Sequence, residues 1–127
     1  MDNSIKKIIA KLGKKLQHLK QPIQILAICS GGKVVGQNLH SYLLEKNIQS
    51  NYFEIWTNMV NGKSSIWKTD FPTKDYEGTA VIVEDVIWNG TQLPPVKQLL
   101  HNCNPHKKFY IASLLDVNKK ADFSVFK

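Results

Sequence analysis

Two adjacent carboxylates, Glu84 and Asp85, stand where the sequence reads as the end of a buried strand, and a glycine turn follows a few residues later. The preceding run Thr79-Ala80-Val81-Ile82-Val83 is apolar and rich in β-branched residues, the pattern of a strand buried within a parallel sheet. Successive strand side chains face opposite ways and an unpaired buried charge is costly, so both acids are expected at the mouth of the sheet, where a polar ligand can meet them. Beyond them, Asn89-Gly90-Thr91-Gln92 leads into Leu93-Pro94-Pro95 and a helical pattern. A turn feeding a helix N-terminus leaves N–H groups pointing outward, and the helix dipole favours an anion there. A hydroxyl-accepting acidic pair beside a phosphate-accepting turn suits a sugar phosphate.

A second turn upstream has matching chemistry. The apolar run Ile25-Leu26-Ala27-Ile28-Cys29 enters Ser30-Gly31-Gly32-Lys33, and a helix is expected from about 34 to 46 with Val35, Leu39 and Leu43 on one face. Paired glycines let backbone approach a ligand closely, and Lys33 can set a cation over an anionic group. A tight strand-to-helix turn without a ligand is an equal reading. Neither the GxGxxG of a dinucleotide fold nor the full GxxxxGK[ST] of a P-loop is present.

The remaining elements must position these turns. Residues 4–20 carry Ile5, Ile8, Ile9, Leu12, Leu16 and Leu19 at helical spacing with lysines between them, an amphipathic helix in a segment spanning 1–21. Its apolar stripe is expected to pack across the sheet edge or onto a partner subunit. Strands are expected at 23–28, 52–57 with Met59 and Val60 as an extension, 79–85, 108–115 and 123–126, with a short helix over 94–102. Residues 61–78 show no clean period; Asn61-Gly62 and Phe71-Pro72 mark turns, and the segment reads as a hairpin or a flexible flap. Alternating strands and helices require right-handed crossovers in an open, mostly parallel twisted sheet flanked by helices. Both glycine turns then open at the same carboxyl edge, where ligands bind in such folds.

Composition narrows the class. The 127 residues make a single domain, and 43% hydrophobic content argues for a packed globule. No run approaches a transmembrane length and no signal-peptide segment opens the chain, so a cytoplasmic protein without membrane contact is expected. Cys29 and Cys103 form no CxxC and read as buried free thiols. The net charge of +7 falls mainly in the first third, where Asp2 is the only acid through residue 44 against seven lysines. A solvated helix face, phosphate steering and a nucleic-acid surface all fit such a bias. All 17 basic residues are lysine, so the guanidinium fork used for base reading is lacking and a nucleic-acid partner is disfavoured. His18, His40, His101 and His106 share no metal-binding spacing. Asp116 ends a strand at the active edge and is a minor candidate for base contact; Asp70 and Asp75 are weaker candidates still.

The segment from Val83 to Leu93 resembles the phosphoribosyl pyrophosphate binding motif of the type I phosphoribosyltransferases, and residues 22–126 are similar to the core of that family, purine type. The resemblance implies that Glu84 and Asp85 engage the ribose hydroxyls, and that Trp88, Asn89, Gly90, Thr91 and Gln92 hold the 5-phosphate. It places Ser30, Gly31, Gly32 and Lys33 against the pyrophosphate. It also implies Mg2+ held chiefly through substrate oxygens and water, with Glu84 and Asp85 acting on it indirectly. The implied reaction moves the phosphoribosyl group to a nitrogenous base, purine-like, and releases pyrophosphate.

Three departures set an alternative. Trp88 stands where many purine-specific members have an aspartate near the base, which argues against a hypoxanthine-guanine type mechanism. Gln92 replaces the common threonine or serine, and Ser30 stands where arginine is frequent. No substantial hood for the base is expected; the 61–78 segment or a second subunit of a homodimer would substitute. The alternative is a regulatory protein that binds phosphoribosyl pyrophosphate or a nucleotide without efficient transfer.

Overall fold

The computed structural model describes residues 3–126. Its elements are α1 (Asn3–Leu16), β1 (Ile23–Cys29), α2 (Lys33–Glu45), β2 (Ser50–Val60), β3 (Lys63–Thr69), β4 (Thr79–Ile87), α3 (Leu93–Cys103), β5 (Tyr110–Asp116) and β6 (Phe123–Phe126). The strands form one sheet in the order β3-β2-β1-β4-β5-β6. Every pairing is parallel except the β2–β3 hairpin.

β1 and β4 are neighbours at the centre, and every residue of β1 is buried. Their side chains divide between two cores. Ile23, Ile25, Val81 and Val83 meet α1 and α2 on one face, while Leu26, Ile28, Ala80 and Ile82 meet α3 on the other. Fully burying such side chains stabilises by about 1.5–3 kcal/mol each, which explains why both runs are apolar up to the site but for Gln24, whose buried amide donates to the Glu77 carbonyl at 3.0 Å. The acids do not close β4 as expected. The strand continues through Glu84 and Asp85 to Ile87, because β5 keeps pairing with it as far as Ile87 and Asp116.

The N-terminal helix ends at Leu16, earlier than the 1–21 segment expected, and its stripe is covered within the chain. Ile9, Leu12 and Leu16 are buried against Val35, Leu39 and Leu43 of α2. Of the two expectations, packing across the sheet edge holds, since α1 also contacts β5 and β6, and the stripe offers no basis for a dimer. Gly13, which weakens the helix by propensity, is required by this packing. A Cβ there would lie 2.3 Å from Cδ1 of Tyr42 on α2.

Residues 61–78 divide into two parts, and of the two expectations for the segment the hairpin is what its first part forms. The first belongs to a hairpin turned by Asn61 and Gly62, with φ of 51° and 77°. Two successive positive φ values suit the tight turn that Asn-Gly favours. The second part is anchored: Phe71 and Tyr76 are buried in the α3-side core. Asp70 accepts the N–H of Glu54, and Asp75 accepts from the Tyr76 N–H and from Asn104 and Lys107 side chains. Neither aspartate lines the cleft between the two glycine turns.

Gly13→Ala, normally favourable in a mid-helix position, is expected to destabilise the protein by about 1–3 kcal/mol in urea unfolding, since the methyl would displace the Tyr42 ring. A gain in stability would show that the ring moves aside freely.

Candidate active site

Because β1 and β4 run parallel and adjacent, the turns that follow them emerge at the same edge of the sheet. A cleft of about 530 Å3 lies between them. Ser30 and Gly31 line one side, Thr91 and Gln92 another, and Glu84 and Asp85 the floor. The peptide joining Cys29 to Ser30 is cis.

Gly31 and Gly32 have separate reasons to lack a side chain. A Cβ on Gly31 would fall 2.7 Å from Asp85 Oδ1, so the turn reaches the carboxylate only as glycine. A Cβ on Gly32 would fall 2.4 Å from the Val83 carbonyl and 2.8 Å from that of Ile28. Gly32 therefore packs the turn onto the sheet and lies outside the cleft lining. In the second turn, Gly90 takes a φ of 72°, and Asn89 Oδ1 accepts the N–H of Thr91 at 3.2 Å. Asn89 and Gly90 shape the turn from behind and do not line the cleft.

The two acids differ in state. Glu84 is only 6% exposed and accepts no hydrogen bond among the described residues. Burial chiefly, and the charge of Asp85 second, push its carboxyl up to about 7. Its register partner on β5, Ser113, has a buried hydroxyl with no hydrogen-bond partner among the described residues. Asp85 is less buried and accepts the N–H of Val86 at 2.7 Å. Both carboxylates keep lone pairs for ligand hydroxyls or a cation. Among the described residues no group of three or more metal-type side chains gathers. Two carboxylates fit a magnesium ion that takes its remaining oxygens from substrate and water, as a small hard ion does.

Lys33 is placed differently from the expectation that it lies over the pyrophosphate. Its ammonium sits 3.8 Å from Glu54 Oε2 and does not line the cleft. Glu54 also accepts from the Tyr52 hydroxyl at 2.9 Å and from Trp56 Nε1 at 3.3 Å. The lysine thus joins a network that orients Trp56, a wall of the cleft. Trp88 is 66% exposed and does not line the cleft, with its carbonyl accepting from Asn118.

The hairpin supplies the wall that sequence reasoning largely missed. Trp56, Thr57, Met59, Ser64 and Trp67 line the cleft, with the two indole centroids 6.2 Å apart. Trp56 and Trp67 are visible in the sequence as aromatics available for stacking, but Thr57 and Ser64 carry no signal until the hairpin is built. The signal was Asn61-Gly62 between two extended runs.

Nearby groups are structural. Burial, with the charge of Glu54 second, pushes the Cys29 thiol up to about 11, so it stays protonated and inert. His40 Nδ1 lies 2.7 Å from Ser50 Oγ, and burial lowers its pKa. Asp116 accepts the N–H groups of Lys120 and Ala121, each at 2.8 Å, so its carboxylate ties down the β5–β6 loop and does not reach for a base.

Among the described residues, the mostly parallel six-stranded sheet flanked by three helices has the fold of the type I phosphoribosyltransferases of the purine type. No protein-family model and no curated protein sequence matches the chain. Solved structures match closely in fold. The purine phosphoribosyltransferase from Pyrococcus horikoshii Ot3 aligns with a TM-score of 0.77 at 25% identity, over 96% of this chain and 81% of its own. A hypoxanthine-guanine phosphoribosyltransferase from Bacillus anthracis aligns with a TM-score of 0.75 at 19% identity, over 96% of this chain and 75% of its own. The Trypanosoma cruzi hypoxanthine phosphoribosyltransferase, solved with the product IMP, gives 0.75 at 17% identity over 95% and 74% of the two chains. The resemblance carried by the motif thus extends across the whole fold, which is of the purine type. Among the described residues no helix is long and apolar enough to cross a membrane.

The raised pKa of Glu84 has a signed consequence. Between its ordinary value of 4.5 and about 7 the folded protein holds the proton that the unfolded chain has released, so stability falls as pH rises through that window. Glu84→Gln is expected to raise Tm by roughly a few °C at pH 8 and to make little difference below pH ~4.5. Melting curves at both pH values check this, and equal shifts at the two would contradict it.

Proposed function

We propose that this chain binds phosphoribosyl pyrophosphate with Mg2+ and transfers the phosphoribosyl group to a purine-like base, releasing pyrophosphate. The observation that carries the reading is the convergence of Ser30–Gly31, Glu84–Asp85 and Thr91–Gln92 on one cleft. In this reading Glu84 and Asp85 accept hydrogen bonds from the ribose hydroxyls and hold the ring. The turn at 89–92 receives the 5-phosphate at the start of α3, and Ser30 and Gly31 lie against the pyrophosphate. Magnesium, when bound, neutralises charge on the departing pyrophosphate. The acids also place negative charge under a ring that becomes cationic as the anomeric bond breaks. Trp56, Met59 and Trp67 keep water from that centre.

A second reading is favoured by Trp88. Its position in the turn carries no acid or base, and among the described residues that line the cleft the ionisable groups are Glu84, Asp85 and the protonated Cys29. A protein that binds phosphoribosyl pyrophosphate or a nucleotide for regulation needs no group to take a proton from the incoming base. Release of pyrophosphate that depends on an added base selects transfer; tight binding without turnover over a panel of bases selects regulation. Either activity suits a cytoplasmic setting, and a homodimer would have to use a surface other than the α1 stripe.

Calorimetric titration with magnesium and phosphoribosyl pyrophosphate tests the shared claim. Asp85→Asn is expected to weaken binding about tenfold or more with no fall in melting temperature, because a charged acceptor at the cleft floor becomes neutral while its repulsion of Glu84 is relieved. Unchanged affinity would remove Asp85 from the sugar site.

A further inference from the structure

Resting on that reading of the cleft, we propose that Ser113 is a positioning residue for Glu84: a turn of the glutamate side chain sets one carboxylate oxygen against the Ser113 hydroxyl and leaves the other for the ligand. The two residues are directly paired in the β4–β5 register, so their side chains leave the sheet on the same face. Neighbouring strands lie roughly 4.8 Å apart, a gap that the rotatable bonds of a glutamate can span. Glu84 lines the cleft and Ser113 lies behind it.

Packing alone gives no reason for a serine here. Ser113 interrupts the apolar run Ile111-Ala112-Ser113-Leu114-Leu115, is fully buried, and has a hydroxyl without a hydrogen-bond partner among the described residues. Two residues back on the same face of each strand stand Ile82 and Ile111, both in the α3-side core. A buried hydroxyl in such surroundings is costly, and an alanine would fill the space without that cost. β5 is paired on both sides, so the backbone groups of its neighbours are engaged in the ladders. The other residue in register with Ser113 is Ser124, which is half-buried on the edge strand β6, where solvent can serve its hydroxyl. Glu84 is the in-register neighbour that is itself buried and unserved.

The glutamate needs such a hold. Asp85 is fixed by the Val86 N–H at 2.7 Å, whereas Glu84 accepts no hydrogen bond among the described residues and carries its carboxylate on a longer side chain. A ligand meeting a carboxylate free to turn bears the cost of ordering it. One oxygen held by Ser113 removes that cost and directs the lone pairs of the other into the cleft. A hydroxyl donating to a charged oxygen makes a stronger bond than one between neutral groups, so a single serine suffices for the task. The turn is open to the glutamate without ligand, and contact of its other oxygen with a ligand hydroxyl completes it.

Ser113→Ala is expected to weaken calorimetric binding of magnesium and phosphoribosyl pyrophosphate about tenfold without lowering Tm, since it removes a donor to a charged group and an otherwise unpartnered hydroxyl together. Ser113→Cys nearly keeps the volume but donates weakly, and is expected to follow alanine. Binding by the cysteine variant as tight as by the unmodified chain would assign the effect to packing and overturn the proposal. In a Glu84→Ala background, which leaves the hydroxyl nothing to hold, Ser113→Ala is expected to change affinity by less than about twofold. An undiminished loss there would show that Ser113 acts through some other group. The infrared carboxylate band of Glu84, identified by its loss in Glu84→Ala, reads the contact itself at pH 9. Ser113→Ala is expected to shift that band in the ligand-free protein, and further with ligand bound; a band unmoved in both states would contradict the contact. Failure of the unmodified chain to bind the ligand would instead overturn the functional reading, and the ligand-free band alone would then decide whether Ser113 holds Glu84.

Discussion

The parallel pairing of β1 with β4 is the constraint on which the site depends. Parallel neighbours bring their carboxyl ends to one edge, and here both ends are followed by turns that contain glycine and lead into helices. The pairing is held by side chains buried on both faces, against α1 and α2 on one and α3 on the other. Sliding β4 by one residue would exchange its two faces, moving Glu84 and Asp85 to opposite layers and separating the acids from the turns. The apolar cores therefore fix the register, and the register builds the cleft.

Within that frame the site is electrostatically unfinished. Glu84 is buried beside Asp85 with no cation near it among the described residues, since Lys33 is drawn to Glu54. The cost of keeping two acids together falls on the protein itself. Burial that raises one carboxyl of a pair is a common feature of functional clefts. The purine phosphoribosyltransferase fold supplies the context in which such a pair has a use, while residue 88 carries chemistry that the fold alone does not determine.

Much of this was legible in the sequence, for identifiable reasons. Apolar runs ending in glycine turns gave β1 and β4 and the placement of their turns, because a strand buried on both faces is mostly apolar. The motif at 83–93 carried the family resemblance that the fold bears out. What covers the stripe of α1 was not legible, since an apolar face looks the same whether it meets α2 or another chain. The extent of β4 was missed because charged residues read as an end, whereas pairing with β5 continues beneath them. Lys33 was misjudged for a similar reason: its spacing places it at the turn, but its partner, Glu54, comes from a strand that only the fold brings near. The hairpin wall of the cleft includes Thr57 and Ser64, ordinary polar residues brought there by a bend that no local pattern announces.

The most direct measurement is a crystal structure of the complex with magnesium and phosphoribosyl pyrophosphate. The account predicts the ribose hydroxyls within hydrogen-bond distance of Glu84 and Asp85, the 5-phosphate at the turn before α3, and the pyrophosphate beside Ser30 and Gly31. A ligand bound elsewhere, or bound here with its sugar turned away from both acids, would contradict it.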